Sequence, residues 1–96
     1  MKRTIVQYRV KPEHADRNEE LVRAVFDELR EKAPDGIGYA TYRLEDGVSF
    51  VHVALEDGGS IADTEAFGKF REGLAERCEV APVATGATEI GSYLSR

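Results

Sequence analysis

The chain has 96 residues, with 13 lysines and arginines against 18 aspartates and glutamates, and therefore a formal net charge of −5. We expect a single domain over residues 1–96, and a domain this small buries so limited a core that a homodimer is a common remedy. The acidic balance, without clustered basic residues, argues against nucleic acid or an anionic membrane as the main partner.

Cysteine and histidine are scarce, which limits the redox and metal chemistry that the sequence predicts. Cys78 is the one cysteine, so no disulfide can form within the chain, and the residues after Met1 do not form an apolar signal segment. These features predict a cytoplasmic location. The two histidines, His14 and His52, lie in different predicted elements, and the sequence predicts no metal site.

A strand followed by a helix is predicted at the start of the chain. Residues 4–10 are rich in β-branched and aromatic side chains with partial alternation, and Pro12 ends that strand. Asp16 and Glu19 have the spacing of a capping box at a helix start. Apolar residues then recur at helical spacing, at Leu21, Val22, Val25, Phe26 and Leu29. Pro34 and the residues after it end the helix.

Residues 39–55 predict a β-hairpin with a tight turn at Asp46-Gly47. With a two-residue turn the facing pairs are Arg43 with Phe50, Thr41 with His52, and Tyr39 with Ala54. A three-residue loop with a glycine bulge would instead shift the register by one residue.

A second helix and a last strand complete the predicted order. The helix starts near Ser60 or Asp63 and is weakened by Gly68 and Gly73. Its apolar positions are Ala66, Phe67, Phe70, Leu74 and Cys78, so that a buried, unreactive thiol is expected at the last of these. The last strand is predicted over residues 87–94. The order strand–helix–strand–strand–helix–strand is typical of an α+β, split βαβ sandwich.

His52 is the candidate functional residue because it interrupts an apolar strand. An imidazole titrates near neutral pH and suits acid–base chemistry or ligand binding. The predicted neighbours for substrate binding are Tyr39, Thr41, Arg43 and Phe50, together with Gln7 and Arg9 if these share the same face. Such a cavity would suit a planar, oxygenated small molecule. The alternative is a histidine whose side chain is hydrogen-bonded or faces solvent and takes part in no chemistry.

The two faces of the predicted sheet differ in polarity. We expect the helices to cover the apolar face, which carries Val51, Val53 and Leu55. The face with His52 and Gln7 is too polar to lie beneath helices, so we expect it to form a dimer interface that encloses a pocket.

The chain resembles small proteins of the dimeric α+β barrel superfamily, most closely the antibiotic biosynthesis monooxygenase family. The resemblance covers nearly the whole chain and rests on the order and spacing of segments 6–12, 18–22, 38–40, 50–53 and 67–70. It implies a ferredoxin-like βαββαβ fold with a four-stranded antiparallel sheet, two helices on one face, and a dimeric barrel. It also implies a pocket in each subunit between sheet and helices. The superfamily includes cofactor-independent monooxygenases, haem-degrading enzymes and lactone isomerases.

Catalytic residues do not transfer from that resemblance. The oxygenases and haem-degrading members use tryptophan and asparagine, whereas this chain has no tryptophan and its only asparagine, Asn18, is predicted on a helix surface. Three functions therefore stay open. The first is an enzyme, a monooxygenase or an isomerase, that acts on a small hydrophobic or aromatic metabolite without a dedicated cofactor. The second is a protein that binds such a molecule unchanged, and the third is a structural dimer with a packed interior.

Overall fold

The computed structural model describes residues 1–95 as a four-stranded sheet with helices. The strands are β1 (Lys2–Val10), β2 (Ile37–Arg43), β3 (Ser49–Glu56) and β4 (Cys78–Ala87), and the helices are α1 (Ala15–Lys32), α2 (Glu65–Arg71) and α3 (Leu74–Arg77). The strand order is β2-β3-β1-β4, and all neighbours are antiparallel. The predicted α+β, ferredoxin-like fold is confirmed. None of the helices within residues 1–95 is long and apolar enough to cross a membrane.

The predicted hairpin register is confirmed, although the turn is longer than two residues. Thr41 lies opposite His52 and Arg43 opposite Phe50. Strand β2 ends at Arg43 and β3 begins at Ser49. Between them the carboxylate of Asp46 accepts hydrogen bonds from the backbone N–H groups of Val48 and Ser49. The N–H of Leu44 also donates to the carbonyl of Ser49 at 2.9 Å, which leaves residues 45–48 as the loop. This loop keeps the pairing of a two-residue turn because residues are added equally on both sides of its centre.

Helices α1 and α2 cover the sheet face that carries Phe50 and His52, so the predicted choice of face is wrong. Register decides this, since Val6 lies opposite His52 and Tyr8 opposite Phe50. The face of β1 that contains the buried Tyr8 therefore continues into the face of β3 that contains His52. The buried core consists of Tyr8, Val10, Ala15, Val22, Val25, Phe50, Ile61 and Phe70.

The second helical region is shorter than predicted. Gly73, at φ +72°, separates α2 from α3, and a left-handed residue of this kind ends an α-helix. Cys78 is consequently the first residue of β4, partly exposed, and does not lie on a helix. The strand predicted over residues 87–94 is also wrong, because residues 88–95 form neither helix nor strand. Pro82 is accommodated within β4 because this is an edge strand.

The start of α1 also differs from the prediction. A 3₁₀ turn over Pro12–His14 leads into the helix, and no side chain caps its first residues. Asp16 and Glu19 instead accept hydrogen bonds from the guanidinium of Arg43, at 3.1 Å and 2.8 Å. The two carboxylates therefore attach α1 to β2 rather than capping the helix.

Candidate functional site

A cavity of about 400 Å³ lies between the sheet and the α2–α3 region. Its volume falls within the range of about 300–1,000 Å³ that is usual for small-molecule sites. Most of its wall is apolar and comes from Val6, Ile61, Phe67, Phe70, Leu74, Pro82 and Ala84. Tyr8, Tyr39 and His52 contribute polar atoms, and Arg71 is the charged residue of the lining.

His52 lies at the centre of a set of hydrogen-bonding side chains. Only 4% of the residue is exposed. Its Nε2 atom is 2.8 Å from the hydroxyl of Tyr8, and its Nδ1 atom contacts the hydroxyl of Tyr39 and lies 3.2 Å from Oγ1 of Thr41. The strand pairing produces this arrangement, because Thr41 on β2 lies directly opposite His52 and Tyr8 is one position diagonal to it on β1.

The hydrogen bonds continue from Tyr8 into the helices. Nδ2 of Asn18 donates to the Tyr8 hydroxyl at 2.9 Å, and Nε of Arg77 donates to Oδ1 of Asn18 at 3.1 Å. The other two nitrogens of the Arg77 guanidinium donate to the carbonyl oxygens of Glu72 and Phe70, at 2.9 Å and 2.7 Å. Each nitrogen of this buried guanidinium thus donates a hydrogen bond, and Asn18 and Tyr8 link it to the cavity.

Asn18 is fully buried, so its predicted place on the helix surface is wrong. It precedes the buried residues Val22 and Val25 by four and seven positions and therefore lies on the same face of α1. A polar residue within an apolar stripe was the signal for a buried hydrogen-bonding partner. Arg77 and Tyr8 were also missed, because their partners are distant in sequence.

Burial keeps Tyr8, Tyr39 and His52 uncharged at neutral pH. It lowers the pKa of His52 to about 4. Burial also raises the pKa of Tyr39 to about 12, against an opposing hydrogen bond from Thr41. It raises the pKa of Tyr8 in the same way, and the hydrogen bond from Asn18 opposes the shift. The site therefore presents one neutral imidazole and two neutral phenols.

The predicted site residues divide into those near His52 and those away from it. Tyr39 lines the cavity, while Thr41 contacts Nδ1 of the imidazole but is not part of the lining. Phe50 is 1% exposed and stacks on Tyr8 with ring centres 5.6 Å apart, so it supports the site from the core.

The other three predicted binding residues neither line the cavity nor contact His52. Arg43 lies opposite Phe50 on the same sheet face as His52, but its guanidinium is engaged by Asp16 and Glu19 of α1. Gln7 and Arg9 point to the opposite face of the sheet, because they alternate with Val6 and Tyr8 along β1. Gln7 and Arg9 therefore do not share a face with His52, and the condition under which they were expected to join it is not met.

Solved structures share this fold at low sequence identity. Rv0793 from Mycobacterium tuberculosis is 17% identical, with a TM-score of 0.76 over 95% of this chain and 96% of that one. A structure described as an antibiotic biosynthesis monooxygenase is 17% identical, with a TM-score of 0.72 over 95% of this chain and all of that one (100%). A monooxygenase of Streptomyces coelicolor in complex with the ligand nanaomycin D is 20% identical, with a TM-score of 0.66 over 99% and 92% of the two chains.

The sequence itself carries little of this likeness. No protein-family model matches the chain, and no curated protein matches it significantly. Identities of 17% and 20% over nearly complete chains show a common fold. The protein has the ferredoxin-like α+β fold of the antibiotic biosynthesis monooxygenase-like proteins.

Proposed function

We propose that the cavity binds a small hydrophobic or aromatic metabolite that carries an oxygen atom, and that the protein acts on it as a monooxygenase without a dedicated cofactor. The observation that carries this proposal is an apolar cavity of about 400 Å³ that ends on Tyr8, His52 and Tyr39. The fold shared with two structures named as monooxygenases supports the reaction class.

The lining suits both parts of such a ligand. Phe67 and Phe70 offer aromatic surface to a ring, and burial of apolar area supplies most of the binding free energy. The linked imidazole and phenols form a polar end of the cavity that can hydrogen-bond to an oxygen atom without adding charge. His52 is the candidate catalytic residue and exchanges a proton with the substrate oxygen through the hydroxyl of Tyr39.

The proposed chemistry is the oxidation of a phenol to a quinone by O₂. One oxygen atom becomes the new carbonyl of the ring. The other leaves as water with two hydrogens, one from the phenol O–H and one from the ring C–H. The ring supplies all four electrons that reduce O₂, so this reaction needs no separate reductant.

The test uses 1-naphthol as the probe, with O₂ consumption and quinone formation measured together. With ¹⁸O₂, mass spectrometry should find one labelled atom in the quinone. Ala84→Phe should lower the rate at least tenfold because the new ring fills the cavity, whereas Ala84→Ser keeps the side-chain volume and should retain activity. Equal rates in the Ala84→Phe variant and the native protein would place the reaction elsewhere.

Binding without turnover is the second candidate, and the environment of His52 favours it. Both ring nitrogens already have partners, and a pKa of about 4 makes the imidazole a weak base. In that case 1-naphthol should bind to the native protein and bind only weakly to the Ala84→Phe variant. It should be recovered unchanged after incubation in air.

The proposed partner is a second copy of the chain, bound through the uncovered face of the sheet. That face carries exposed apolar side chains, with Tyr42 57% and Val83 62% exposed. Val51, Val53 and Leu55 lie on the same face. Face-to-face packing of two such sheets would remove this surface from water. The cytoplasmic location stays a prediction.

A further inference from the structure

Arg77 determines which groups donate and which accept in the buried network of hydrogen bonds. A guanidinium can only donate hydrogen bonds, so the Asn18 atom 3.1 Å from Nε of Arg77 must be the amide oxygen. The amide nitrogen of Asn18 is thereby directed at the Tyr8 hydroxyl, 2.9 Å away, and it too can only donate. Arg77 thus determines which end of the Asn18 amide faces Tyr8.

The Tyr8 hydroxyl determines in turn which nitrogen of His52 carries the proton. The Tyr8 oxygen accepts from Asn18, and its single hydrogen has Nε2 of His52 as the partner at 2.8 Å. A nitrogen that accepts a hydrogen bond carries no proton, and a neutral imidazole carries one proton in all. The proton of His52 is therefore on Nδ1.

Nδ1 faces the hydroxyls of Tyr39 and Thr41. When the Nδ1–H group donates to the Tyr39 oxygen, the hydrogen of that hydroxyl is left for another acceptor. Tyr39 lines the cavity, whereas Thr41 lies outside its lining. A ligand oxygen in the cavity is thus the acceptor that this hydroxyl can serve.

We propose that Asn18 and Arg77 are positioning residues that orient every hydrogen bond of the network from the buried guanidinium toward the cavity, so that Tyr39 donates to a carbonyl or phenolate oxygen of the ligand. Hydrogen bonds aligned in one direction polarise one another and strengthen the last donor. This inference rests on the proposed function in assuming that an oxygenated molecule occupies the cavity, and it assigns that molecule an acceptor oxygen at Tyr39.

The first test measures the tautomer of His52 by ¹⁵N NMR in protein labelled at the imidazole nitrogens, without any ligand. The native protein should show a protonated Nδ1 and a bare Nε2. Asn18→Asp preserves the size of the side chain and can still pair with Arg77, but a carboxylate only accepts. Tyr8 should then donate to the carboxylate, and the His52 proton should move to Nε2.

A proton on Nε2 in the native protein would overturn the inference, and so would an Asn18→Asp variant with an unchanged tautomer. If Asn18→Asp does not fold, Tyr8→Phe replaces it. The loss of the Tyr8 hydroxyl should release the preference for Nδ1, whereas a merely structural role of the network would leave the tautomer as it was.

The second test compares 1-tetralone, which has one carbonyl acceptor, with its hydrocarbon counterpart tetralin. A net hydrogen bond of about 0.5–1.5 kcal/mol predicts a roughly twofold to twelvefold tighter binding of 1-tetralone. The infrared carbonyl stretch of bound 1-tetralone should fall in frequency, and Tyr39→Phe should abolish both differences. Equal binding of the two probes, unaffected by Tyr39→Phe, would overturn the inference and leave the cavity proposal standing. Failure of both to bind would refute the proposed function, while the NMR result still decides the tautomer.

Discussion

The hydroxyl oxygen of Tyr8 lies 2.8 Å from Nε2 of His52, and each residue is only 4% exposed. The two side chains come from neighbouring strands and meet beneath Phe70, whose ring centre is 5.4 Å from that of His52 and 6.2 Å from that of Tyr8. A proton added to His52 would therefore place a charge among aromatic rings, where little water can solvate it.

This burial predicts that the protein loses stability as the pH falls below about 6.5. The pKa of His52 is about 4 in the folded protein and 6.5 when unperturbed, so the unfolded chain takes up the proton first. The contribution of neutral His52 is complete above about pH 6.5 and falls by up to about 3 kcal/mol as the pH drops toward 4. Urea denaturation at pH 7.5, 6, 5 and 4.5 measures this loss.

The control for the pH series is His52→Gln, which can still form hydrogen bonds but does not titrate. It should be less stable than the native protein at pH 7.5, and its stability should fall less steeply between pH 6.5 and 4.5. Parallel pH profiles for the two proteins would show that other groups, such as the carboxylates, cause the loss.

Two glycines of the second helical region should respond in opposite ways to alanine. Gly73 has a φ of +72°, so Gly73→Ala should cost about 1–2 kcal/mol because a Cβ is disfavoured in the left-handed region. Gly68 lies within α2 with nothing within 4 Å of an added Cβ, and Gly68→Ala should gain up to about 1 kcal/mol. Thermal and urea unfolding of both variants measure the difference, and a stabilising Gly73→Ala would contradict the helix boundary.

Arg77→Lys should destabilise the fold by about 1–3 kcal/mol although it retains the charge. Arg77 is 8% exposed and donates to Asn18, Glu72 and Phe70 at once, and one ammonium cannot reach all three acceptors in that geometry. Arg71→Lys at the exposed end of α2 is the matched control and should stay within about 0.5 kcal/mol. Equal stability of the two variants in urea denaturation would mean that the buried hydrogen bonds contribute little.

The uncovered face of the sheet leads to a prediction about assembly. Size-exclusion chromatography with light scattering should find a dimer of the native chain, and Val53→Lys should shift it to a monomer because the charge lies at the centre of that face. Ala24→Lys on the exposed side of α1 should remain dimeric. A native monomer, or a dimer unaffected by Val53→Lys, would rule out assembly through this face.

Much of the fold follows from local features of the sequence. The Asp46-Gly47 turn and the alternation on either side of it predicted the pairing of Thr41 with His52. The apolar stripe of α1 likewise marked the residues that enter the core, including Val22 and Val25. In both cases the signal is a periodic pattern within one short segment, so it can be read without knowledge of the tertiary contacts.

The boundaries of the helices and the strand in the second half of the chain were harder to predict. Leu74 and Cys78 continue the helical spacing of Phe67 and Phe70, and only the left-handed Gly73 shows that the helix stops. Glycine is tolerated inside helices as well as at their ends, so the residue type alone does not distinguish the two cases.

The covered face of the sheet, and with it the site, depended on contacts between distant segments. The alternation in β3 separates His52 from Val51 and Val53, but either set can face the helices. The pairing of Val6 on β1 with His52 on β3 places His52 on the face that the helices cover. Tyr8, itself hydrogen-bonded to Asn18, then supplies a hydrogen-bond partner for the buried imidazole. By itself the sequence determined the first strand, the first helix and the hairpin pairing, because these depend on neighbours in the chain. Only the tertiary structure decided which polar residues meet, because a buried histidine is stable only where its partners are brought to it.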